Sequence, residues 1–212
     1  MLFVSSKTAK YAEILTAVIL SHTFFDGTNL YVGDKEKVTD IYTKNRDIGI
    51  EVVQAEYLCD FLLDSYSKLS TRNGLSLDPN NNKKTKARVL SWSYNTDLDD
   101  EYVMAQFRAR VKDKLFKLNN GNYKKIKGEI DLALLSYMRV KDNTDAKNFI
   151  KVYKEESVNY ERTFDKVFLI FSSGIYYLMD GKIVAQAEFV GDEFLSYQMT
   201  AKKLIENVKK QV

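Results

Sequence analysis

The chain has 212 residues, 45% hydrophobic and 29% charged, which argues against global disorder and allows a sizeable core. Lysine and arginine total 32 against 29 acidic residues, so the net charge of +3 permits a nucleic-acid partner without demanding one. A lone histidine, His22, argues against a histidine-rich zinc site and most histidine triads; a lone cysteine, Cys59, forms no internal disulfide and points to a reducing, cytoplasmic setting.

In chain order, residues 6–21 carry Tyr11, Ile14, Leu15 and Val18 at helical spacing, with Ser5 or Ser6 placed to cap. Asn29–Gly33, Lys37–Thr43 and Arg46–Gln54 read as three short strands, the last rich in β-branched residues. Ala55–Leu69 returns to a helical period. Residues 70–88 hold the only proline and a lysine cluster, and read as a mobile basic loop. Glu101–Leu118 is the clearest helix, its stripe running through Met104, Phe107, Val111, Leu115 and Leu118 before Asn119-Asn120-Gly121 stops it.

Ile130–Tyr137 and Val167–Phe171 are almost unbroken apolar runs, the pattern of strands covered on both faces. The helix Thr144–Tyr160 between them makes a βαβ crossover. Asp180-Gly181 marks a hairpin, and an amphipathic helix over 194–210 closes the chain. The expectation is one α/β domain over residues 1–212, a mixed central sheet with helices on both faces. No run approaches the ~18 apolar residues of a membrane span, and the start lacks a signal-peptide pattern, so neither secretion nor membrane insertion is expected.

No glycine-rich phosphate cradle, CxxC pair, HExxH or GxSxG element is present. What remains is a pair of acids. If Val38–Tyr42 pairs antiparallel with Asp47–Gln54 across Lys44-Asn45, Asp40 falls opposite Glu51 on one side of the sheet. Two bare carboxylates there repel, and a divalent cation is the natural reason to tolerate them. Asp47 shares a face with Glu51 but lies roughly 13 Å away along the strand, too far for one ion. Asp131, inside a buried strand, is expected near the sheet's end or hydrogen-bonded.

Helix, a strand with Asp40, a strand carrying Gly49-Ile50-Glu51-Val52, then helix–strand–helix–strand resembles the restriction-endonuclease-like superfamily of PD-(D/E)XK nucleases over about residues 6–171. The resemblance implies a magnesium (or manganese) ion on Asp40 and Glu51, and hydrolysis of DNA phosphodiester bonds. It also implies a lysine two residues after the glutamate, where this chain has Val53. Gln54 could replace it if a bulge follows Glu51. The other donor is the helix 101–118, where Arg110, Lys114 and Lys117 line one edge; Lys114 is the expected catalytic lysine. Glu13 resembles an accessory acid of the family. Lys83, Lys84, Lys86 and Arg88, with Arg110 and Lys117, are the expected DNA contacts. A homodimer suits a nuclease that cuts both strands. The alternative is a catalytically silent nuclease-like domain that binds nucleic acid or a protein partner, for which Val53 speaks directly.

Overall fold

The computed structural model describes residues 2–4, 9–33, 38–55, 100–136 and 143–210, without side-chain environments for 100–103, 143–145, 209 and 210. The expected helix 55–69, the basic loop and Cys59 lie outside the described residues, apart from Ala55.

The elements are β1 (Leu2–Val4), α1 (Tyr11–Thr23), β2 (Leu30–Val32), β3 (Ile41–Thr43), β4 (Ile48–Gln54), α2 (Asp100–Asn119), β5 (Glu129–Leu135), α3 (Asn143–Ser157), β6 (Lys166–Phe171), β7 (Gly174–Met179), β8 (Lys182–Glu188) and α4 (Glu193–Lys210). The eight described strands join one sheet in sequence order. The pairs β1–β2, β4–β5 and β5–β6 are parallel and the other four antiparallel, so the sheet is mixed.

Alternation along the strands sends successive side chains to opposite faces, and each face has its own core. On one, Val53, Leu132, Leu134, Val167 and Leu169 pack under Phe107, Val111 and Leu115 of α2 and Phe149 of α3. On the other, Ile50, Val52, Ala133, Leu135 and Ile170 meet Ile14, Leu15, Val18 and Ile19 of α1 and Tyr197 and Ala201 of α4. The near-continuous apolar runs of β5 and β6 follow from this double covering. Helices therefore lie on both faces, as the sequence pattern expects. His22 stacks on Tyr197 at 5.6 Å between ring centres, a packing role. Among the described residues no helix is long and apolar enough to cross a membrane.

The expected start of the first helix is corrected. α1 begins at Tyr11, because the Glu13 carboxylate turns back to accept from Lys10 N at 2.9 Å and closes the first turn there. Leu2–Val4 is a strand parallel to β2, which no periodicity announced.

Candidate active site

The β3–β4 ladder pairs Ile41 with Ile50 and Tyr42 with Gly49, and that register continued by one residue sets Asp40 opposite Glu51. Beyond Ile50 the backbone ladder stops. The amide of Val52 then needs another acceptor, and Asp40 Oδ2 takes its hydrogen bond at 2.9 Å. A carboxylate thus stands where a strand carbonyl would have been, and the two strands part at that point. The Asp40 carbonyl still accepts from Gly33 N at 3.2 Å, which ties the aspartate to β2 as well.

Glu51 points to the α2 face with Val53. Its side chain is 5% exposed, against 22% for Asp40, so any approach to the pair comes from the Asp40 side. Val53 is buried beneath α2, where the apolar stripe needs it. Lys114 lies on the flank of that stripe, between Val111 and Leu118, and reaches the acids from above. Its ammonium hydrogen-bonds Glu51 Oε2 and stands 3.5 Å from Asp40 Oδ2. One positive charge therefore touches both carboxylates.

The electrostatics follow from burial. Desolvation first, and the Asp40 charge second, push the Glu51 carboxyl up to about 7 although Lys114 opposes them. Burial alone would lower the Lys114 ammonium, but the charges of Glu51 and Asp40 carry it above its ordinary range. Tyr123, from the loop after α2, is buried beside Glu51, and its hydroxyl lacks a hydrogen bond of normal geometry. Burial and then the Glu51 charge raise its pKa. Nothing in the sequence singled out Tyr123; an Asn-Tyr-Lys-Lys loop carries no periodic or motif signal.

Glu13 lies close enough to feel the Asp40 charge, which adds to desolvation in raising its pKa. Both its carboxylate oxygens already serve Lys10, one accepting from the backbone amide and one 3.6 Å from the ammonium. The helix start accounts for this glutamate.

Gln54 does not reach the site. The β4–β5 register runs unbroken from Ile48↔Glu129 to Gln54↔Leu135, so no bulge follows Glu51 and Gln54 keeps the face of Ile50 and Val52. Among the described residues its buried amide has no hydrogen-bond partner. Arg110 donates to the Gln54 carbonyl, and Lys117 pairs with Asp113 at 2.7 Å on the exposed flank of α2. Of the three basic residues on that helix edge, Lys114 alone contacts the acids. Asp131 sits opposite Ile50 on the α1 face, away from Glu51 and two residues into β5, near the strand's end as expected; among the described residues its oxygens make no hydrogen bond of normal geometry. Lys83, Lys84, Lys86 and Arg88 lie outside the described residues.

The donor set suits a hard cation. Magnesium is commonly held by one or two carboxylates with water and substrate oxygens completing its shell, and Asp40 and Glu51 are two carboxylates that converge on one cationic group, the Lys114 ammonium. Among the described residues no cluster of three or more His, Cys, Asp or Glu side chains converges on one point, so none of these residues adds a third carboxylate. Comparison with family models, with curated proteins and with solved structures found no match. The functional reading therefore stands on geometry.

Proposed function

We propose that Asp40, Glu51 and Lys114 form the centre of a magnesium- or manganese-dependent endonuclease that hydrolyses DNA, organised as in the PD-(D/E)XK nucleases with the lysine supplied by α2. The observation that carries this reading is the contact of one ammonium with two carboxylates from parted neighbouring strands. Asp40 and Glu51 would hold the ion, which in such centres activates water and offsets charge on the phosphate. Asp40, the more exposed acid, presents the open side. Lys114 brings a donor and a full charge beside both acids, suited to orienting water or steadying a phosphate oxygen.

Asp40→Asn keeps an oxygen for Val52 N–H, and Glu51→Gln keeps the side-chain volume, so both variants separate chemistry from folding. Each is expected to abolish magnesium-dependent nicking of plasmid DNA. Lys114→Met is expected to lower the rate by roughly 100-fold or more, in the range seen when one transition-state donor is lost. Undiminished nicking by Glu51→Gln would overturn the mechanism.

A second reading has its own support: Lys114 already neutralises Glu51, so the cluster is also a complete buried ion pair without a metal. In that case the domain binds nucleic acid or a protein partner without hydrolysis. Salt-dependent DNA binding, with no manganese affinity and no turnover, would decide for it.

A further inference from the structure

The turn between β3 and β4 (residues 44–47) and the loop between α2 and β5 (residues 121–128) lie side by side and are fastened together. Lys127 N donates to the Arg46 carbonyl at 2.8 Å, and Glu129 N donates to the Asp47 carbonyl at 2.9 Å. Arg46 holds a left-handed φ of 62°, which folds the turn against its neighbour. At Gly128 a Cβ would run into the Asp47 carbonyl, so the close approach depends on glycine there.

This double loop turns its apolar residues inward and its cations outward. Tyr123 and Ile126 are buried, whereas Lys44, Lys124, Lys125 and Lys127 are exposed and Arg46 is half-exposed. Among the described residues none of these five cations has an ion-pair partner, and Asp47 is the only acid within the two segments. Asn45 and Asn122, both exposed, add amide donors. Tyr123 of this double loop is buried beside Glu51, whereas Asp47 lies four strand residues, roughly 13 Å, from it, so the exposed cations adjoin the acid pair without contacting it.

We propose that this double loop is a phosphate-backbone clamp for nucleic acid, gripping it without reading its sequence. The choice of nucleic acid over an acidic protein rests on what the patch lacks. Protein interfaces centre on apolar and aromatic side chains and deplete lysine, whereas a phosphate backbone needs only cations and amide donors. The inference shares its nucleic-acid partner with the reading above, but needs neither a bound cation nor hydrolysis.

The test is fluorescence anisotropy of a labelled duplex of about 20 base pairs, in EDTA, between about 50 and 200 mM salt. The triple variant Lys124→Ala/Lys125→Ala/Lys127→Ala is expected to bind more weakly and to lower the slope of log affinity against log salt by about 2–3, close to one per lysine. Lys202→Ala/Lys203→Ala, on the exposed side of α4, removes two lysines away from the patch and should leave the slope unchanged. An unchanged slope in the triple variant overturns the clamp. So does a wild-type protein that binds polyglutamate but no DNA. Because EDTA removes the divalent ion, a failed cation centre cannot mimic either result; manganese binding, measured separately, reports on Asp40 and Glu51 alone.

Discussion

Asp131 and Glu51 are both carboxylates buried in the sheet, and they differ in company. Glu51 has an ammonium against it; the two oxygens of Asp131 make no hydrogen bond of normal geometry among the described residues, and Lys166 on the next strand offsets only part of its burial. Desolvation pushes Asp131 up to about 7. The folded state then holds that proton more tightly than the unfolded chain, so the contribution is fully present below the unfolded value near 4 and is lost as pH rises through 7. Asp131→Asn removes this slope. Its stability advantage over wild type should widen from pH 5 to pH 8 by roughly 2–3 kcal/mol in denaturant melts, and a gap that stays constant would show that Asp131 is charged at both values. Glu51, pushed in the same direction, is present in both proteins and cancels in that comparison.

At the level of elements, the β3–β4 hairpin decides the geometry. Its register was legible because Lys44-Asn45 marks the turn and strand side chains alternate strictly. The face of Glu51 followed, and so did the candidacy of Lys114, which helical spacing places on the flank of a strong apolar stripe. Lys114 was singled out on the same grounds, and the rotation of α2 over the sheet sets it, rather than Arg110 or Lys117, against the acids. Gln54 shows the limit: an unbroken parallel ladder to β5 kept it on the other face, and β5 is distant in sequence. Gly49 tests the hairpin. A Cβ there would lie 2.5 Å from Thr39 Oγ1 and 2.7 Å from Ile126 Cγ1. Gly49→Ala is expected to destabilise by about 1–3 kcal/mol, as overpacking does, read as a lower midpoint in urea. A melt indistinguishable from wild type would mean that the loop carrying Ile126 yields freely.

Across the whole molecule, one sheet separates two cores, and the acid pair sits where that sheet splits between β3 and β4. An ion that binds only the folded arrangement must stabilise all of it. Manganese at about 100 times its dissociation constant should add about 2.7 kcal/mol, seen as a rise in melting temperature of several degrees. Glu51→Gln should erase the rise, and a wild-type melt insensitive to manganese would favour the silent reading.

Sequence alone determined the layered α/β arrangement, the doubly covered strands β5 and β6 and the pairing of Asp40 with Glu51, because periodicity, turn chemistry and alternation act over a few residues. Tertiary structure decided that Gln54 faces away, that Asp131 is buried without a hydrogen bond of normal geometry among the described residues and that two separate loops form one basic surface. Each of these depends on segments far apart in the chain being brought together by packing, and no local pattern encodes the rotation of a helix or the company a buried group will keep.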